Sequence, residues 1–150
     1  MISGDTGDLS EILKMTKIEG IENYFCENET ALAEAEKAFS NYFKYLLRRK
    51  GLKEQEVFLA ADVPEGYGYK LMSEEKHTRQ RDVILRLTLA AGLSLAETNR
   101  CLKLYSMTPL YPRIRRDAVI IVAIQEGLRD PAEVNRLLAE KQQSELYLCR

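Results

Sequence analysis

Residues 51–75, GLKEQEVFLAADVPEGYGYKLMSEE, constrain the fold more than any other stretch of this chain. They follow Arg48, Arg49 and Lys50, three cations suited to the negative end of a helix dipole, and Gly51 can take the left-handed conformation that closes a helix. From Lys53 to Ala61 the spacing predicts a short helix with Val57, Ala60 and Ala61 on its inner side. Asp62 is the expected turn residue, because aspartate tolerates left-handed backbone better than most side chains. Pro64 fits the first turn of a second short helix, in which Tyr67 and Leu71 point inward. Helices this short are not stable alone, so the rest of the chain must pack more helices around them.

The remainder reads as helix after helix, and no segment sustains a strand's period of two. Leu9, Ile12 and Leu13 have helical spacing, as do Ile18, Ile21 and Phe25, with Gly20 weakening the second group. From about Thr30 to Lys50, Ala35, Ala38, Phe39, Tyr42 and Leu46 form one stripe, widened by Phe43 and Leu47. Residues 73–79 are a polar loop. Residues 80–91 form an apolar helix through Val83, Ile84, Leu87 and Ala91, closed by Gly92. Ser94 and Glu97 have capping-box spacing and open a helix that runs to about Tyr105. A helix over 111–127 contains the apolar run AVIIVAI, and Asp130-Pro131 starts a last helix to about Lys141. The tail QQSELYLCR has no clear period. The expectation is an all-α chain of about seven to nine helices.

An internal echo runs through the second half. The pattern Gly-Leu, then Ala-Glu-x-Asn-Arg-x-Leu, occurs at Gly92 to Leu102 and again from Gly127, with one extra residue in the second copy. Each copy is an apolar helix, a glycine stop and a capped amphipathic helix. Two similar helical hairpins are therefore expected to stack on one core.

Composition narrows the function classes. The chain is 45% hydrophobic and 30% charged, ordinary for a globular protein. No apolar run approaches the ~18 residues a membrane span needs. No basic n-region followed by an apolar stretch opens the chain, so a cytoplasmic protein is expected. Cys26, Cys101 and Cys149 make no C-x-x-C pair, and with His77 as the single histidine they give no zinc-site spacing. His77 lies in the polar loop, which leaves no Ser-His-Asp or Cys-His arrangement, so neither an enzyme nor a cofactor is expected. Charge is uneven. Residues 1–39 carry 3 basic and 9 acidic side chains, residues 40–116 carry 15 and 8, and residues 117–150 carry 4 and 6. A basic middle behind an acidic arm points to a polyanionic partner for the middle.

The two short helices and their turn have the layout of a helix-turn-helix, whose second helix usually enters the major groove of DNA. Gly51-Leu52, Val57, Ala61, Val63, Leu71 and Arg81-Asp82, in this order and spacing over about residues 39–105, resemble the five-helix core of lambda-repressor-like, or Xre-family, regulators. That resemblance implies such a core at 30–106, an acidic helical arm at 1–29, and a C-terminal helical hairpin at 107–150 packed on the same core. The sequence departs from the family pattern at Phe58, Asp62 and Gly68, where an alanine-like residue, a glycine and a β-branched residue are usual. Phe58 and Gly68 compensate if the helices cross there, a ring on one filling the space left by hydrogen on the other.

By the same resemblance, Pro64, Glu65, Gly66, Tyr69 and Lys70 face outward on the second helix. Base readout would rest on Glu65, Tyr69 and Lys70. Lys53, Lys70, Lys76, His77, Arg79 and Arg81 would meet phosphates. Arg113, Arg115 and Arg116 form a further basic cluster at the start of the sixth helix, beside Tyr105 and Tyr111, suited to a phosphate or a partner's carboxylate. The resemblance implies a bacterial or phage-type regulator that binds double-stranded DNA. The alternative is a protein-interaction adaptor that kept the fold without reading DNA, favoured by the acidic arm and the glutamates near the motif.

Overall fold

The computed structural model describes residues 6–149. The expectations that fall on residues 1–5 of the arm, and on the side chain of Ala35, lie outside the described residues. Among those described there are ten α-helices, one short 3-10 turn and no strand, so the chain is all-α. No described helix is long and apolar enough to cross a membrane.

The chain divides after Ala38 into two compact units. The first holds α1 (Thr6–Lys14), a 3-10 turn (Ile18–Gly20), α2 (Ile21–Glu27) and α3 (Glu29–Glu36). Thr16 Oγ1 donates to the Ile12 carbonyl past the end of α1, and Asn28 closes α2 by donating to the Tyr24 carbonyl. Leu13, Met15, Ile18, Ile21 and Phe25 all stay exposed.

The second unit opens with α4 (Ala38–Lys50). The long helix expected from about Thr30 is thus two helices that break at Lys37. Propensity alone favours continuity through ETALAEAE, but alanines offer little area to bury, and among the residues whose burial is described the buried stripe of α4 starts at Phe39. Phe39, Phe43, Leu46 and Leu47 are buried at i, i+4, i+7 and i+8, and the two phenylalanines stack with centroids 5.5 Å apart. Gly51 (φ +71°) closes the helix, with the Leu52 amide donating to the Leu47 carbonyl. Then come α5 (Glu54–Ala61), α6 (Glu65–Met72) and α7 (Arg81–Ala90), the last buried from Val83 to Ala90.

α8 (Leu95–Leu104) starts on the capping box expected of it. Ser94 Oγ accepts from the Glu97 amide at 3.1 Å, and Glu97 accepts from the Ser94 amide at 2.9 Å. α4 runs antiparallel along α8. Phe39 meets Tyr105 edge-on at 5.0 Å, Arg100 lies 4.8 Å over the Tyr42 ring, and Lys50 reaches Glu97 at 3.8 Å.

α9 (Arg115–Gln125) and α10 (Pro131–Glu140) complete the unit. α9 begins four residues later than the sequence spacing suggests. Ile114 is its N-cap, and the Asp117 carboxylate reaches back to accept from the Tyr111 amide, which holds residues 111–114 in a turn.

The echo read at Gly92 and Gly127 is longer in three dimensions. Both glycines have positive φ, at +67° and +80°. Asn99 Oδ1 accepts from the Leu110 amide, and Asn135 Oδ1 from the Leu146 amide, each across eleven residues. Ser106 and Gln142 occupy matching left-handed positions at φ 59° and 60°. The starts of the two hairpins exchange ion pairs. Arg81 binds Asp117 at 2.6 Å, and Arg116 grips Asp82 through two bonds of 3.0 and 2.8 Å. Each aspartate also accepts a backbone amide from the end of a hairpin, Asp117 from Tyr111 and Asp82 from Tyr147. α8 packs on α9 and α10 on α7, so α7 to α10 form two interlocked copies of one hairpin.

Candidate nucleic-acid interface

The turn between α5 and α6 is built locally. Asp62 adopts φ 57°, ψ 44°, and the Val63 amide donates to the Phe58 carbonyl at 3.0 Å, closing α5 without a glycine. The helices cross at Phe58 and Gly68. A Cβ added to Gly68 would lie 2.7 Å from Phe58 ring carbons, well inside contact distance. Phe58 is fully buried and also meets Tyr69 edge-on at 5.1 Å. The compensation expected between these positions is therefore a direct contact. It fixes how closely α6 lies on α5.

On α6, Pro64, Glu65, Gly66, Tyr69 and Lys70 are exposed, while Gly68, Leu71 and Met72 are buried and Tyr67 is half-buried. The exposed ridge runs between two depressions. One, of about 560 Å³, is lined by Pro64, Gly66, Tyr67 and Lys70, by Lys76, His77, Thr78 and Gln80 of the following loop, and by Tyr147 and Cys149. No carboxylate lines it among the described residues. The other, of about 490 Å³, is lined by Lys44, Leu47 and Arg48 of α4, by Leu52, Lys53 and Glu54, and by Tyr69. Lys44 and Arg48 escape the sequence reading because α4 is remote in sequence from α6, and only packing brings them beside Lys53.

The loop after α6 is pinned rather than loose. The Thr78 amide donates to the Tyr105 hydroxyl at 2.9 Å, and the His77 ring stacks on Tyr105 at 4.2 Å. Burial pushes the Tyr105 pKa up, partly offset by the Thr78 hydrogen bond. The Lys76 amide bonds back to the Lys70 carbonyl. Lys76, His77 and Arg79 are thereby held at the surface beside α6.

The C-terminal tail forms part of the same site. Arg86, in the middle of the apolar α7 and almost fully buried, donates to the carbonyls of Tyr147 (2.6 Å), Leu146 (3.1 Å) and Ala61 (3.2 Å). Ala61 is the last residue of α5, where the helix dipole favours a cation. One guanidinium thus ties the tail to the turn and brings Tyr147 and Cys149 into the wall of the larger cleft. A lone arginine in the run Val83 to Ala90 is the sequence signal that marks it.

Two of the sequence-read cations are committed to internal pairs. Arg81 is held by Asp117, and Arg116 by Asp82 with further bonds to the Ser144 and Glu145 carbonyls. Lys53, Lys70, Lys76 and Arg79 make no side-chain ion pair among the described residues. The same is true of Arg113 and Arg115, and Arg113 precedes α9 rather than lying in it. Cys26 is exposed, whereas Cys101 and Cys149 are buried; desolvation pushes the Cys101 thiol up to about 12. Among the described residues no cluster of His, Cys, Asp and Glu is placed to hold a metal ion. No family model, curated protein or solved structure matches this chain.

Proposed function

We propose that this chain is a helix-turn-helix regulator that binds double-stranded DNA, with α6 directed to the major groove. The observation that carries this reading is the placement of lysine and arginine side chains on both sides of the α6 ridge. Lys70 and Lys76 lie on one side, in a lining they share with the His77 ring, and Lys44, Arg48 and Lys53 lie on the other. A duplex offers phosphates on both sides of its groove, and lysine and arginine contacts to them supply most sequence-independent affinity. Tyr69 and Lys70 are the side chains on the ridge best suited to base edges. Glu65 can accept from cytosine N4 and stands at the favourable end of the α6 dipole. Gly66 offers nothing to a base, so affinity is expected to depend more on phosphates than on sequence.

The test is binding of a mixed-sequence duplex at low salt, followed by fluorescence anisotropy. Replacing Lys70 and Lys76 together by glutamate should weaken binding by roughly a hundredfold or more, since each phosphate contact carries of order 1 kcal/mol or more and reversal adds repulsion. Equal binding by wild type and this variant would rule the reading out. A second reading, a protein-interaction adaptor, is supported by Leu59, which is 83% exposed on α5, the first helix of the motif. Under it, Leu59→Asp would abolish capture of a protein partner and leave duplex binding undetectable throughout.

A further inference from the structure

We infer that the groove between α9 and α10 is a docking site for an amphipathic helix of a partner protein, one with carboxylates in its first turn. Ala118, Val119, Val122 and Leu137 line an apolar depression of about 420 Å³, with Arg115 and Lys141 at one end. The internal repeat says what shape belongs there. The matching floor in the first hairpin is Val83, Ile84, Leu87 and Cys101, each 1% exposed or less, whereas Val122 is 50% exposed. In the first hairpin α5 packs on α7, while α4 runs antiparallel along the α8 side. Its Phe39 lies on Tyr105 and its Tyr42 beside Arg100, the counterparts of Lys141 and Arg136. The second hairpin presents the same groove with no other helix of its own unit laid along it among the described residues.

The cations give the occupant its charge and direction. At the positions of Arg115 and Lys141 the first hairpin has Gln80 and Tyr105, both neutral at pH 7. Both cations stand at the open end of the α9–α10 hairpin, the end corresponding to where α4 begins. A helix seated as α4 is would bring its N-terminal turn to them. Carboxylates in a first turn are already favoured by the helix dipole and would there meet two cations that have no ion pair among the described residues. A second copy docking the same face would offer these cations no carboxylate, since none lines the groove among the described residues, which argues against self-association. The inference uses none of the residues that carry the DNA reading, and either can fail without the other.

The probe is a labelled peptide copying residues 38–48, with two glutamates ahead of Ala38 and the changes Asn41→Glu and Lys44→Glu. Fluorescence anisotropy against the full chain should give saturable binding. Val122→Lys, at a half-exposed position where circular dichroism can check folding, should weaken it about tenfold or more. The double change Arg115→Glu and Lys141→Glu should weaken the acidic peptide and strengthen a version with lysine at the glutamate positions. The inference is overturned by absence of saturable binding, by binding indifferent to Val122→Lys, or by peptides of either charge binding alike. It is also overturned if sedimentation finds a dimer that Val122→Lys dissolves.

Discussion

Alanine substitution at the two glycines of α6 gives opposite signs, and the reason is a single contact. At Gly66 an added Cβ meets nothing within 4 Å. Gly66→Ala should therefore gain the helix propensity of alanine, about 0.5–1 kcal/mol. At Gly68 the same methyl lies 2.7 to 2.8 Å from three Phe58 ring carbons, against ordinary contact at 3.4 Å or more. The ring cannot yield easily, because Phe58 is fully buried and packed against Tyr69. Overpacking of this kind costs about 1–3 kcal/mol, which exceeds the propensity gain. The two variants should differ in stability by roughly 2 kcal/mol, or about 5 °C or more in Tm. Urea and thermal unfolding followed by circular dichroism measure this directly. Phe58→Leu should be less costly in the Gly68→Ala background than alone, because it makes room for the methyl. If Gly68→Ala stabilises as Gly66→Ala does, the helix crossing is not the one described.

The reciprocal ion pairs give a second expectation. Asp117→Ala leaves Arg81 and the Tyr111 amide without their acceptor and should cost about 3 kcal/mol, the low end for a broken buried pair because Arg81 keeps some solvent. Denaturant unfolding of this variant, beside Arg81→Met with Asp117→Leu, separates loss of the pair from loss of packing. The pH dependence follows from Cys101, whose ordinary value of 9.0 is raised by burial to about 12. The folded state then holds a proton that the unfolded state releases, so stability should fall as pH rises from about 9 toward 12. Tm measured over that window should fall less steeply in Cys101→Val. Arg86→Met should free the tail, and faster amide hydrogen exchange over residues 144–149 is the expected readout.

What the sequence made legible was local chemistry. The α8 cap needs only Ser94 and Glu97, three residues apart. The left-handed turn needs only Asp62. The pairing of Phe58 with Gly68 could be read because both positions lie within one motif and their volumes compensate. Chemistry set by packing over long separations stayed hidden. Arg86 reaches carbonyls 60 and 61 residues away, and Asp82 and Asp117 exchange arginines across 34 and 36. No local pattern marks such partners. The echo was visible at its glycines and capped helices, but its Arg-Asp starts and Leu-Tyr ends became recognisable only when bonded across the bundle. The same holds for the DNA-facing surface. Lys53 and Lys70 were readable from the motif, whereas Lys44 and Arg48 join them because α4 lies against the motif. The sequence spacing started the sixth helix at Tyr111, but Asp117 folds its side chain back over residues 111–114, a bond that periodicity does not encode.

The salt dependence of duplex binding reports the phosphate contacts of this surface. Lys44, Arg48, Lys53, Lys70, Lys76 and Arg79 are the exposed or half-buried cations around α6 with no ion pair among the described residues. If all six meet phosphates, the logarithm of the association constant should fall with the logarithm of salt concentration at a slope near −5, roughly −0.9 per contact. Lys70→Glu with Lys76→Glu should make that slope shallower by about two units. No detectable binding at low salt, or affinity that does not change with salt, would mean that these side chains do not meet phosphates.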